Sequence, residues 1–418
     1  MFLEAAENKK LSAVLLLDQS AAYDLLDHKI LLKKLARYNF DEDSINWFGS
    51  YLSKRSQSVQ IEAKQSARED LGDHAAPQGS VLGGLLFIIN ENDFPACRSE
   101  GESVVFVDDD TDVISDSDPE ELLRKIQHEA DLSCSWLRDN RMSVAGEKSK
   151  LLIVGTNELR KRKIGDQIHS IQVDGKRVQE TSSEKLLGVI INNKMTWHEH
   201  LHGEDWRTEE KNNEGLIPQL SKRLGILRKL SYHSSTKKLR MLASGLFYSK
   251  LSYCLPLYTA TWGLDIYKVT NTRFSTFTKE DNRQLQVLQN QLCRLLLNER
   301  GYYKQNQSTK QLLDKCGELS IHQLGAQRTL MMMKKIILSK KPGYISEKLL
   351  MTQAAGTSRS ASTIPPVETT LTLKRSSFLY RAVKLFNQLP EDIREESRIS
   401  PFKKGLKTWI KGNIRLKP

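Results

Sequence analysis

Three carboxylates are placed where they could do metal chemistry. Asp18 closes the apolar run Ala13 to Leu17 (AVLLL), and Asp108 and Asp109 follow the apolar run Ser103 to Val107 (SVVFV) directly. Short apolar runs of this kind read as buried strands, so the acids sit at strand ends. Carboxylates brought together repel one another unless a cation neutralises them. Oxygen-only donors suit Mg2+, with Mn2+ as a substitute. Two such ions can activate an attacking 3′-hydroxyl and stabilise a leaving pyrophosphate. Strand ends often carry Asp for turn geometry alone, so the acids by themselves favour ordinary surface positions.

The elements that must position these acids can be read along the chain. Leu31, Leu32 and Leu35, then Ile45, Phe48 and Leu52, have helical spacing, and Ser58 to Ala63 alternates like a half-exposed strand. Pro77-Gln78-Gly79-Ser80 is a turn opening an apolar helix from Val81 to Ile89. Pro119 to Asn140 reads as a helix facing inward through Leu122, Leu123, Ile126, Ala130 and Trp136. Leu151 to Val154 is a strand, and Ile168 to Val173 and Lys185 to Ile191 read as strands around the turn Asp174-Gly175. From about Leu220 the chain is mostly helical and basic, and Thr357 to Thr372 is a Ser/Thr/Pro-rich linker. The fold class expected is α+β, an antiparallel sheet with packed helices followed by a mostly helical region.

Charge divides along the same line. Residues 1–150 hold 17 Lys+Arg against 28 Asp+Glu, leaving 46 against 23 in residues 151–418. A net of about −11 followed by about +23 points to a polyanionic partner for the second part, against a merely solvated basic surface. No apolar run approaches the roughly 20 residues of a membrane span, and MFLEAAENKK does not read as a secretory signal. The five cysteines are scattered, form no zinc spacing or disulfide framework, and fit a reducing intracellular compartment. His198, His200 and His202 occupy alternate positions and read as structural or solvated rather than as a zinc pair. The cluster Arg160-Lys161-Arg162-Lys163 and the pair Lys237-Lys238 suit nucleic-acid contact, an import signal or solvation.

The strings LLLDQSAAYDLLDH, PQGSVLGGLLFIIN, FVDDDTD, GEKSK and KLLGVIINNKMTW occur in this order, and WHEHL, LFYSKLSYCLPLYTATWG, LQVLQNQLCRLLL, GELSIHQLGAQRTL and SFLYRAVKLFNQLPEDIR follow. Together they resemble the successive palm motifs and C-terminal region of reverse transcriptases of non-LTR retrotransposons of the jockey and chicken-repeat type. The resemblance implies a polymerase palm over 1–195, a helical thumb-like region over 196–355, a linker over 356–373 and a C-terminal helical segment over 374–418. It implies an RNA-directed DNA polymerase that adds deoxynucleotides to a primer 3′-hydroxyl on an RNA template, with two Mg2+ ions held by Asp18, Asp108 and Asp109. Tyr23 matches the aromatic gate against a ribose 2′-hydroxyl. Gln78 and Gly79 match the contact to template and incoming nucleotide. Lys148, with Lys150 as the near alternative, matches the lysine beside the triphosphate, and Leu187-Gly188 matches the primer grip. Asp110 adds a third consecutive acid, so the aspartate pair could be displaced by one position. In the family the fingers lie mostly upstream of a point 17 residues before the first aspartate, which leads us to expect a palm and thumb without most of the fingers. Nuclear or cytoplasmic residence as a ribonucleoprotein follows from the same resemblance. The alternative is a catalytically silent nucleic-acid-binding remnant of the same fold.

Overall fold

The computed structural model describes residues 2–77, 79–204, 214–259, 278–298, 307–354, 364 and 378–414. The chain divides into two compact units, Met1–Glu184 and Lys185–Pro418.

The first unit is built on a five-stranded antiparallel sheet. Its central strand is β1 (Leu11–Ser20), preceded by a short helix α1 (Phe2–Glu7). Helices α2 (His28–Arg37) and α3 (Glu42–Leu52) follow. Asp27 caps α2 by accepting from the Ile30 amide at 2.9 Å, and its second oxygen accepts from Arg141 at 2.7 Å. The segment expected as one strand over Ser58 to Ala63 instead forms two nested small hairpins. β2 (Ser56–Gln57) pairs with β5 (Glu69–Asp70), and β3 (Gln60–Ile61) with β4 (Lys64–Gln65). All four strands are exposed, so no buried face enforces one long strand. Helix α4 (Gly83–Glu91) begins two residues later than the sequence suggested, because Ser80 turns back onto the Pro77 carbonyl and leaves Val81 96% exposed.

A 3-10 turn at Phe94–Cys97 leads to β6 (Glu102–Phe106) and β7 (Asp109–Asp116). The helix α5 (Pro119–Asp139) then crosses the sheet, capped by Asp118. It buries Leu122, Ile126, Ala130 and Cys134, four residues apart in turn, against Leu15, Leu17 and Ile114. Each fully buried Leu or Ile contributes about 1.5–3 kcal/mol of hydrophobic stabilisation. β8 (Ser143–Val144) and β9 (Lys150–Val154) complete the sheet, both pairing with β1. After α6 (Asn157–Lys163) come β10 (Ser170–Val173) and β11 (Lys176–Gln179). The Asp174-Gly175 turn joins these two strands, and not 168–173 to 185–191 as expected. Sequence reasoning missed β11 because three of its four residues are exposed and only Val178 is buried.

The strand β12 (Ser183–Leu186) pairs with β13 (Val189–Asn192), and helices dominate beyond. They are α7 (His198–His202), α8 (Leu216–Leu230), α9 (Thr236–Ala243), a π turn at Ser244–Tyr248, α10 (Ser249–Ser252), α11 (Leu255–Thr259), α12 (Lys279–Leu296), α13 (Thr309–Cys316), α14 (Ile321–Ser339), α15 (Gly343–Ala354), α16 (Phe378–Asn387), α17 (Glu391–Glu395) and α18 (Ile399–Asn413). One core gathers Leu220, Leu224, Phe247, Tyr258, Leu285 and Leu292; another gathers Leu330, Met333, Phe386, Phe402 and Leu406. The fold is thus α+β, an antiparallel sheet with packed helices followed by a helical region. The expected linker over 356–373 lies outside the described residues except for Ile364, which is buried and exchanges two backbone bonds with the Asn387 side chain.

The three histidines form part of a helix, so His198 and His202 stand one turn apart with ring centroids 4.8 Å from each other. The alternate-position reading overlooked that i,i+4 relation. Their chemistry is nonetheless structural for two of the three. His202 Nε2 lies 2.7 Å from Asp281, and burial pushes His200 down to about 4, which keeps it neutral as its Nδ1 accepts from the Ile190 amide.

Candidate active site

The site is built on the C-terminal half of β1. From Leu15 to Ser20 burial alternates: Leu15, Leu17 and Gln19 are buried, whereas Leu16, Asp18 and Ser20 are half-exposed. The sheet therefore covers one face and opens the other. β1 and β7 run antiparallel with Asp18 directly opposite Asp109. Residues paired in this way project from the same face with Cβ atoms roughly 4.5–5.5 Å apart. Asp108 occupies the turn between β6 and β7 and is exposed. Burial first, and then the charges of Asp108 and Asp18, push the Asp109 carboxyl above its ordinary value. The three acids thus feel one another across the turn. Among the described residues no three His, Cys, Asp or Glu side chains are gathered closely enough to enclose a metal ion by themselves. An open set of oxygen donors fits Mg2+, which keeps waters and substrate phosphates in its coordination shell.

The turn itself is strained. Phe106 pairs with Asp109, leaving a two-residue turn in which Val107 has φ +60°. A β-branched residue there is an outlier and costs on the order of 1–3 kcal/mol.

Of the three consecutive acids, Asp110 points to the face opposite that of Asp18 and Asp109. It is buried, paired across the sheet with Leu17, and held by the Arg98 guanidinium. Arg98 also donates to Asp112 Oδ1 at 2.9 Å and to the Phe94 carbonyl at 3.2 Å, with its carbon 4.0 Å over the Phe94 ring. Ser103 donates to Asp110 at 3.0 Å. Beside this group, Glu129 of α5 accepts from the Ser99 hydroxyl at 2.6 Å and from the amides of Ser99 and Glu100. Burial pushes both Asp110 and Asp112 upward, and Arg98 opposes it. Arg98, Asp112 and Glu129 escaped the sequence reading. An isolated arginine ten residues upstream of a triple acid was the only available signal.

Lys148 reaches the same open face. The Ala145 amide donates to the Asp18 carbonyl at 2.8 Å, and a tight turn from Ala145 follows, with the Lys148 and Ser149 amides both donating to the Ala145 carbonyl. This brings Lys148 Nζ to 3.8 Å from Asp18 Oδ1, in a solvent-exposed ion pair worth at most about 1 kcal/mol. Lys150 lies in β9 opposite Leu16. Gly146 is required here because a Cβ would sit 2.9 Å from the Val173 carbonyl.

Tyr23 follows β1 and stacks on Phe87 of α4, with centroids 4.6 Å apart and planes 18° from parallel. Its hydroxyl lies near the start of α4, where a Cβ on Gly84 would meet it at 3.9 Å. Gly79 has φ +76°, a left-handed turn that favours glycine. Gln78 lies outside the described residues. Behind the site, Gln19 donates to Glu91 at 3.1 Å, and burial pushes Glu91 up to about 7.

Leu187 and Gly188 belong to the second unit. They form the turn of the β12–β13 hairpin with φ of +46° and +83°, the pattern of a type I′ turn. The Tyr253 hydroxyl donates to the Leu187 carbonyl at 2.5 Å, and its ring would meet a Cβ on Gly188 at 3.4 Å. Tyr253 therefore clamps this turn, a role that no local pattern in the sequence announces. Elsewhere in the second unit, Phe247 and Tyr258 are fully buried and Tyr232 is exposed. Arg160 of the basic cluster is also committed, bridging the Ile153 carbonyl and Glu180.

Residues 3–191 match the family profile described as "Reverse transcriptase (RNA-dependent DNA polymerase)". The chain is 26% identical over 208 residues to the RNA-directed DNA polymerase from mobile element jockey of Drosophila melanogaster, a match covering 48% of this chain and 22% of that protein. It is 26% identical over 258 residues to the protein of the same description from Drosophila funebris, covering 59% and 26%. The chain thus spans about a quarter of the length of these curated relatives. Among solved structures, the telomerase of Candida tropicalis, solved with a fragment of telomeric RNA, aligns with 73% of this chain and 49% of that chain at 10% identity and a TM-score of 0.32.

Proposed function

We propose, from the reverse transcriptase domain that residues 3–191 form and its similarity to jockey-type mobile elements, that this chain carries the palm of an RNA-directed DNA polymerase. Its substrates would be an RNA template, a DNA primer and deoxynucleoside triphosphates. The observation that carries the reading is the register of β1 and β7. It sets Asp18 opposite Asp109 on the open face, with Asp108 in the adjoining turn and Lys148 within reach of Asp18.

Asp18, Asp108 and Asp109 would hold two Mg2+ or Mn2+ ions. Bound there, the ions would acidify the primer 3′-hydroxyl and neutralise the departing pyrophosphate. The oxygen of that hydroxyl attacks the α-phosphorus while the bond to the bridging oxygen breaks. Lys148, 3.8 Å from Asp18, would offer a proton to the leaving pyrophosphate. Tyr23, fixed by its stack on Phe87, would exclude a ribose 2′-hydroxyl. The Leu187-Gly188 turn, clamped by Tyr253, would steady the primer end. Work of this kind on RNA fits residence in the nucleus or cytoplasm as a ribonucleoprotein.

The test is incorporation of labelled deoxynucleotide on an annealed RNA template and DNA primer, comparing the chain with Asp109→Asn. Loss of one electrostatic stabiliser of a transition state costs about 10²–10³-fold in rate, and at least that loss is expected. Incorporation that survives Asp109→Asn unchanged, or strand binding without any incorporation, would overturn the reading.

A further inference from the structure

The helical second unit contains a cavity of about 280 Å3 that the catalytic reading leaves unused. That is just below the roughly 300–1,000 Å3 of common small-ligand sites. Its wall carries Arg240 of α9, Arg328 of α14, and Lys403 and Lys407 of α18, against the single carboxylate of Glu318. Three helices thus converge four cations on one small opening. Two of these cations have structural work. Arg240 donates to the Cys316 carbonyl at 3.1 Å and Lys407 to the Gly317 carbonyl at 3.1 Å, so both neutralise the C-terminal end of α13. That work does not explain Arg328 and Lys403. Arg328 makes one long bond to the Ser252 hydroxyl at 3.4 Å, which leaves most of its five donors available. Lys403 is exposed and shows no ion pair among the described residues.

The rest of the lining is different in character. Leu296, Leu319 and Leu324 are apolar, and Tyr248 adds an aromatic ring whose hydroxyl is buried. Gln327, Ser244 and Ser252 add a few hydrogen-bonding groups. A ligand matching this wall has concentrated negative charge at one end and a flat, weakly polar body at the other. A nucleotide unit has that shape, with its phosphate on the cations and its base against aromatic and aliphatic carbon. An acidic peptide would satisfy the cations but leave the apolar lining without a partner. The charge of residues 151–418, 46 basic against 23 acidic, favours a strand over a lone nucleotide, because neighbouring phosphates gain as well. We propose that this cavity is a binding site for one nucleotide of a single-stranded nucleic acid, anchored through its phosphate by Arg328 and Lys403. The proposal does not depend on whether Asp18, Asp108 and Asp109 hold metal.

The experiment measures fluorescence anisotropy of labelled single-stranded RNA and DNA decamers with the full chain over a salt series. Arg328→Gln with Lys403→Gln removes two exposed cations and should weaken binding at least tenfold. The slope of log affinity against log salt should fall by roughly 0.7, the value for the one phosphate no longer neutralised. Ser244→Trp fills the cavity with every charge retained and should weaken binding as much while leaving the slope unchanged. Lys161→Gln with Arg162→Gln removes the same charge from the exposed end of α6 and should change affinity less than threefold. Equal losses from the two charge-removing pairs would overturn the proposal, since the cations would then act only as diffuse surface charge. So would wild-type binding by Ser244→Trp, competition by a poly-glutamate decapeptide equal to that of the oligonucleotide, or a mononucleotide that binds as tightly as the decamer.

Discussion

Replacing Arg98 by Met should unlock the strand that carries Asp109. The guanidinium is buried and is the cation paired with both Asp110 and Asp112. The two carboxylates are also buried, and Asp112 Oδ2 has no hydrogen-bond partner among the described residues. Arg98→Met keeps the volume and removes the charge. Breaking a buried ion pair from one side costs about 3–5 kcal/mol, because the remaining charge has neither water nor partner. At 1.4 kcal/mol per factor of ten, this is about 10²–10³·⁵ in the local opening equilibrium. It is also a large part of a domain's usual 5–15 kcal/mol. Hydrogen exchange of peptides spanning 98–116 should therefore accelerate by that factor at pH 8, after correction for intrinsic rates. The sign with pH follows from the carboxylates. Burial already raises both in the folded protein, and without Arg98 both rise further. An acid with a raised folded-state value is fully stabilising only below its unfolded value near 3.9, and that contribution is lost as pH rises through the folded value. The variant should thus regain protection as pH falls from 8 to 5. Adding Asp110→Asn and Asp112→Asn should restore much of the protection at pH 8, since no buried charge is then left alone. Protection of 98–116 within threefold of the parent at pH 8, or a variant less protected at pH 5 than at pH 8, would refute the reasoning.

Two further outcomes are expected. Tyr253→Phe removes the bond to the Leu187 carbonyl and should cost about 0.5–1.5 kcal/mol, seen as exchange of peptides over 183–192 roughly 2- to 12-fold faster with 11–20 unaffected. Glu91 is pushed up to about 7 by burial, so its contribution favours the folded state below about 4.5 and fades as pH rises through about 7; Glu91→Gln should flatten the pH dependence of Tm between 5 and 8 and raise Tm relative to the parent at pH 8.

The strands around the site were legible because their information is local. AVLLL followed by Asp18, and the four-residue spacing of Leu122, Ile126 and Ala130, determine a buried strand and an inward helix face before any partner is known. The β1–β7 register was not legible. Three consecutive aspartates look alike in sequence, and only Arg98, brought in from a separate turn, distinguishes the buried Asp110 from the exposed Asp109. The β10–β11 hairpin was mispaired for a related reason: Lys176–Gln179 has little apolar signal, so the next apolar run looked like the partner strand. Beyond residue 195 helices could be read from periodicity, but which faces meet depends on contacts such as Gln289 to the Leu319 carbonyl, which no local pattern encodes. The clamp of Tyr253 on Leu187, 66 residues away in sequence, is of the same kind.

The central claim is that Asp18, Asp108 and Asp109 together hold divalent metal. Mn2+ binding followed by electron paramagnetic resonance, with the full chain, an annealed RNA template and DNA primer, and a non-hydrolysable deoxynucleotide analogue, tests it without requiring turnover. The substrate phosphates are included because these ions take ligands from them as well as from the protein. The account predicts two bound Mn2+ per chain, with Asp18→Asn and Asp109→Asn each weakening binding at least tenfold, and Asp110→Asn leaving it within twofold because that carboxylate faces Arg98. Binding that is unchanged in Asp18→Asn and Asp109→Asn, or lost in Asp110→Asn alone, would contradict it.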